Sequence, residues 1–113
     1  MQYRIESLAT FDREVKRLSK RYPSMAADIK ALKAEILANP SLGVSLGKNV
    51  RKIRMRIASK GRGKSGGARV ITVTVVAAVE ETEIDLLYIY DKADRASITE
   101  AEIEALLKEC GLL

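Results

Sequence analysis

With 113 residues, 47% hydrophobic and 31% charged, the chain can bury roughly two-thirds of its extended surface in one core; its composition is globular rather than disordered, and no apolar run approaches the roughly 18 residues of a membrane span. It has no histidine and one cysteine, so Ser-His and Cys-His pairs, histidine metal ligands and an internal disulfide are all excluded. The net charge is +5 and very uneven: residues 1–35 carry eight basic and five acidic groups, residues 36–79 nine and none, and residues 80–113 three and ten.

In chain order, residues 3–7 (YRIES) alternate as a short strand, and the stretch from Ser7 to Thr10 offers caps for a helix. From Ala9 to Lys20, Phe11, Val15 and Leu18 share one helical face. Pro23 interrupts that pattern, and Ser24 is a suitable N-cap for a second helix. Met25, Ile29, Leu32 and Ile36 form its stripe, and Asn39-Pro40 ends it, giving an αα-hairpin. A loop with Gly43 and Gly47 leads to a strand over 50–58, where Arg51, Ile53, Met55 and Ile57 alternate with Lys52, Arg54 and Arg56. If the helices cover the apolar face, the three cations stand about 7 Å apart on the open face. Residues 59–67 contain four glycines and form a loop.

Residues 69–79 are the most strand-like run, and Glu80 to Glu83 turns the chain. The strand over 84–90 is expected to place Leu87 and Ile89 on one face and Leu86, Tyr88 and Tyr90 on the other. Thr99 and Glu102 make a capping box, with Ile98 and Ile103 as hydrophobic staple, for a last helix ending at Gly111. Cys110 reads as a small buried hydrophobe in that helix. The predicted class is α+β, a single domain over residues 1–113 in the order β-α-α-β-β-β-α. Its sheet is mainly antiparallel, with the N-terminal helical hairpin on one face and a C-terminal helix.

The chemistry concentrates between Lys48 and Arg69, where Lys48, Arg51, Lys52, Arg54, Arg56, Lys60, Arg62, Lys64 and Arg69 occur without an acid between Glu35 and Glu80. Like charges this close repel, and an anion relieves that cost. Nucleic acid fits better than a membrane surface, because no helix combines a basic face with exposed aromatics. GRGKSGG (61–67) superficially suggests a Walker loop. A Walker loop needs a glycine five positions before the glycine of GK[ST], here Gly63, but that position is Ala58, and a strand follows instead of a helix. The segment reads instead as a basic loop, able to wrap a phosphate backbone or merely solvated. Tyr88 and Tyr90 offer either base-stacking platforms or aromatic packing, and Lys92, in register with Tyr90, a further phosphate contact. Asp85, Asp91 and Asp94 are too scattered to suggest a metal site.

The succession of two short helices, RKIRMRI, a basic glycine loop, GGARVI, and LLYIYDK before a Thr-capped helix resembles the RelE family of bacterial toxin-antitoxin ribonucleases. The resemblance implies a ribosome-dependent endoribonuclease that cuts mRNA and is neutralised by a cognate antitoxin. It also implies attack of a 2′-hydroxyl on the adjacent phosphate, with neither metal nor small-molecule cofactor. On this sequence the family's alternating basic pair falls on Lys52 and Arg54, with Arg56 beside them, and its strand-opening arginine on Arg69. Lys52 is then the base, since a guanidinium keeps its proton; Arg54 and Arg69 clamp the phosphate, and Tyr90 or Lys92 orients substrate or supplies the leaving-group proton. The last helix, Thr99 to Gly111, has no Tyr, Arg or His, so Tyr90 takes the acid's role by position rather than by match. Lys48, Arg56, Lys60, Arg62, Lys64, Tyr88 and Lys92 complete the expected RNA-binding set. The N-terminus, MQYRIESL, lacks a secretory pattern, and a cytoplasmic protein is expected. Two other readings stay open: a ParE-like gyrase inhibitor acting by protein binding, and a non-catalytic RNA-binding, degenerate toxin domain.

Overall fold

The computed structural model describes residues 2–113. Strand β1 (Gln2–Ser7) leads into helices α1 (Ala9–Ser19) and α2 (Met25–Ala38). Strands β2 (Val44–Gly47), β3 (Val50–Met55), β4 (Ala68–Ala78) and β5 (Glu81–Asp91) follow, and helix α3 (Glu100–Glu109) ends the fold. The five strands form one sheet in the order β1-β5-β4-β3-β2. Only β1, parallel to β5, departs from antiparallel pairing. The predicted α+β order therefore holds and gains an edge strand, β2. Its hairpin with β3 turns on Lys48 and Asn49, both at positive φ (53° and 64°), as a two-residue turn between right-twisted strands requires.

The αα-hairpin covers one face of the sheet through its predicted stripes. Phe11, Leu18, Met25, Ile29, Leu32 and Ile36 pack with Ile53, Met55, Ile57, Ala68, Val70, Ile84, Leu86 and Ile89. The opposite face is not open along its whole length. Ile103 and Leu107 of α3 cluster there with Val50, Ile71, Val73, Leu87 and Tyr90, so the cationic end of β3 emerges beside a covered region.

Strand β5 corrects the simple alternation expected of it. A register shift against β4 falls between Ile71/Tyr88 and Thr72/Leu86, and the extra residue is Leu87. Leu86 therefore joins Ile89 under the helical hairpin while Leu87 joins Tyr88 and Tyr90 under α3, the effect expected of one residue inserted into a period of two.

Helix termini follow the sequence unevenly. The capping box at Thr99 and Glu102 is complete, and both residues of the predicted staple, Ile98 and Ile103, pack under α3. At α1 the cap position is Leu8, with no side-chain cap; the Thr10 hydroxyl instead donates to the Leu87 carbonyl. Ser24 holds the expected N-cap position of α2, but its side chain makes no cap hydrogen bond. Its hydroxyl donates to Asp28 Oδ2 (2.6 Å) and accepts the Ser59 N–H (2.9 Å). Asp28 also accepts the Ala58 N–H (3.2 Å), so the start of α2 anchors the 3₁₀ turn Ala58–Lys60. That anchoring explains why β3 stops at Met55 and not at the predicted Ala58.

Candidate nucleic-acid interface

Pairing across β3, β4 and β5 sets out the candidate site as two rows. Arg54 pairs with Arg69, and Arg69 with Tyr90; Lys52 pairs with Ile71, and Ile71 with Tyr88. Directly paired residues share a face, with side chains about 5 Å apart at Cβ, and consecutive rows lie about 7 Å apart. The same face thus carries Lys52, Arg54, Arg69, Tyr88 and Tyr90. Arg54 and Arg56 are exposed and Lys52 is half-buried. Arg56 lies just past the strand end.

The positive block lacks acids in sequence, but the fold brings acids to part of it. Lys48 faces Glu104 (3.3 Å) and Glu100 (4.0 Å), and Lys64 faces Glu35 (3.0 Å). All five groups are exposed, so these pairs add little stability and are open to a competing anion. Lys52, Arg54, Arg56, Arg62 and Lys92 lie outside every ion pair found among the described residues. Arg51 and Arg69 also lack an ion pair but donate to backbone carbonyls, so Lys52, Arg54, Arg56 and Arg62 are the part of the block with neither kind of partner among the described residues, and Lys92 adds to them from beyond it.

Lys60 has a different place from the one expected. Its Nζ donates to Asp91 Oδ1 (2.6 Å) and to the Gly66 carbonyl (2.9 Å), and it stands 5.5 Å from the Tyr22 ring centroid. Asp91 is fully buried. It also accepts from Arg21 (3.1 Å), the Tyr22 hydroxyl and the Ala93 N–H (3.0 Å). Burial alone would raise the Asp91 pKa, but the hydrogen bonds from Lys60, Tyr22 and Ala93 and the Lys60 charge outweigh it and hold the carboxyl at about 2. Asp91, one of three scattered carboxylates in the sequence, ties the loop, the α1–α2 corner and the end of β5 together. The signal available was its position, the last residue of a strand facing a loop rich in lysine.

The glycine loop is consequently tethered, and it closes over Arg69. Arg69 is only 5% exposed; its guanidinium donates to the carbonyls of Lys64, Ala68 and Ser65 (each 3.2 Å). A phosphate reaches this arginine only by replacing those carbonyls. Gly67 passes so close to β3 that a Cβ there would lie 2.1 Å from the Met55 carbonyl oxygen. Gly67→Ala should therefore cost about 1–3 kcal/mol through forced backbone displacement, measured by denaturant unfolding.

Tyr90 is 2% exposed, and its hydroxyl has no hydrogen-bond partner among the described residues. Burial raises its pKa, and the nearby charges of Arg69 and Arg95 work against that rise; a phenol that holds its proton suits a donor better than a base. The Tyr88 ring lies 6.5 Å from that of Tyr90 at 38°. Arg95, which no sequence pattern marks within its polar loop, stands over the Tyr90 ring at 5.5 Å and pairs with Glu102 at 2.7 Å.

At the other end of β5, Asp85 is buried beside Glu83. Burial, followed by the hydrogen bond to Glu83 and the charges of Glu83 and Glu6, raises its pKa from 3.8 to about 7. The folded state holds this proton where the unfolded chain has released it, so this group's contribution to stability falls as pH rises from about 4 to about 7. Asp85→Asn should accordingly raise the melting temperature more at pH 8 than at pH 4; an equal shift at both would contradict the assignment.

No helix among the described residues is long and apolar enough to cross a membrane. No curated protein matches the chain in direct comparison. A protein-family model described as the RelE toxin of the RelE/RelB toxin-antitoxin system matches residues 8–112, nearly the whole chain and every element that builds the two rows. The chain therefore belongs to the RelE toxin family and is a toxin of a toxin-antitoxin system, which implies an antitoxin as its partner.

Proposed function

We propose that this toxin is a metal-independent endoribonuclease that cleaves mRNA on the ribosome, acting in the cytoplasm as a single domain. The observation that carries this reading is the pair of rows, in which unpaired cations and a buried, protonated phenol occupy one sheet face. Cleavage by 2′-hydroxyl attack needs a base, cations around the pentavalent phosphate and an acid for the leaving oxygen. Lys52, as the base, takes the 2′-hydroxyl proton as O2′ bonds to phosphorus. Arg54, joined by Arg69 once the loop carbonyls yield, balances the charge on the phosphate oxygens. The P–O5′ bond breaks, and O5′ takes the Tyr90 proton. The products are a 2′,3′-cyclic phosphate and a 5′-hydroxyl, and solvent then carries the proton taken by Lys52 back to the Tyr90 phenolate, which resets both groups.

Arg56, Arg62, Lys64, Lys48 and Lys92 would hold the flanking backbone and Tyr88 would stack on a base. Lys60 is better assigned to structure, since Asp91 and Gly66 occupy its ammonium. Inducing the toxin in cells tests the proposal. Growth arrest with truncated mRNA is expected; arrest with intact mRNA and trapped gyrase-DNA complexes would select the ParE-like reading, and RNA binding without cleavage the degenerate-toxin reading.

A further inference from the structure

We infer that Arg95 and Glu102 form a gate over Tyr90, with Arg95 a positioning residue that leaves Glu102 for an RNA phosphate and so uncovers the phenol hydroxyl. The inference rests on the ribonuclease reading for its chemistry, but the gate itself is a matter of geometry. Tyr90 is 2% exposed with an unpartnered hydroxyl. A buried hydroxyl without a partner is costly, and as the structure stands that hydroxyl cannot meet a leaving oxygen. Part of its cover is the Arg95 guanidinium, 5.5 Å from the ring centroid.

Arg95 is held from two sides. Its Nε donates to the Ser97 carbonyl (2.9 Å), and its other end donates to Glu102 Oε1 (2.7 Å). Glu102 is bound independently by the capping box, where the same oxygen accepts the Thr99 N–H and hydroxyl (3.1 and 3.0 Å). Removing Arg95 from Glu102 therefore leaves the start of α3 capped. The pair is partly exposed, with side chains 33% and 41% accessible, so a competing anion can reach it. A phosphate offers an arginine a charge-assisted, two-pronged contact at least as good as one carboxylate oxygen. As Arg95 turns to the phosphate, the hydroxyl beneath gains access to the leaving O5′ in the same movement, coupling substrate capture to proton supply.

Two measurements on the full chain test this gate. The first uses no RNA: nitration by tetranitromethane, mapped by mass spectrometry, with the more exposed Tyr3 as internal control. Tyr90 should be protected in the parent and react at least about tenfold faster in Arg95→Ala, with Tyr3 unchanged and circular dichroism native. Should Arg95→Ala fail to fold, Glu102→Gln, which keeps the capping geometry but weakens the hold on Arg95, should show a smaller increase in the same direction. The second is single-turnover cleavage of ribosome-bound mRNA. Arg95→Ala should slow it about 10–100-fold without changing ribosome affinity, and Arg95→Lys should recover part of the rate. Unaltered protection of Tyr90, or parental cleavage by Arg95→Ala, would overturn the gate. A parent that leaves mRNA intact would overturn the ribonuclease reading instead, while nitration still decides whether Arg95 covers Tyr90.

Discussion

Lys52→Ala combined with Arg54→Ala is expected to abolish growth inhibition, lowering cleavage by at least about 10²–10⁴-fold, the range for loss of a general base, before the lost phosphate contact is added. The same double variant should fold normally. Arg54 is exposed and Lys52 half-buried, and neither belongs to an ion pair among the described residues. Removing two neighbouring like charges relieves repulsion, so stability should stay within about 0.5 kcal/mol of the parent or rise slightly. Arg69→Ala should behave differently. It loses three carbonyl contacts beneath the glycine loop, so activity and stability should fall together. A Lys52/Arg54 variant that folds and remains fully toxic would remove these residues from the site.

Asp91→Ala should be the most damaging single change to the fold, costing about 3–5 kcal/mol as the loss of one partner from a buried ion pair. Lys60, 11% exposed at its side chain, would be left without its carboxylate, and Tyr22 and Arg21 would lose a shared acceptor. Chemical denaturation of parent and variant measures the effect. The pH dependence gives an independent check. A carboxyl held at about 2, against 3.8 in the unfolded chain, contributes stability that is complete above pH 4 and lost as pH falls toward 2. The variant should lose that part of the parent's acid sensitivity. A variant with parental stability would show that the network around Asp91 does not hold the loop.

The apolar periodicity was sufficient to locate the αα-hairpin and the alternation of β3, because burial imposes one side chain pattern on each element. Phe11, Leu18, Ile29 and Leu32 lie where a period of 3.6 puts them, and Ile53 and Met55 where a period of two does. The β2 hairpin escaped because its turn is carried by Lys48 and Asn49 at positive φ, with the nearby glycines outside the turn itself. The Leu87 bulge is equally silent, since an inserted residue in an all-apolar run leaves no break in pattern.

For the site, local sequence indicated which cations share a face but not which would be neutralised. Glu35, Asp91 and Glu104 come from distant elements to meet Lys64, Lys60 and Lys48, and only the tertiary fold brings them there. The closure of the loop over Arg69 and the placement of Arg95 over Tyr90 join residues only four or five apart, but they lie in irregular turns, where no periodic pattern marks which side chains meet.

The most direct test is cleavage of a defined mRNA on programmed ribosomes by the purified toxin, with both new ends mapped chemically. Cuts should require the ribosome and leave an upstream fragment ending in a 2′,3′-cyclic phosphate and a downstream fragment beginning with a 5′-hydroxyl, all lost in the Lys52/Arg54 variant. Intact mRNA, or fragments bearing a 5′-phosphate, would contradict this mechanism.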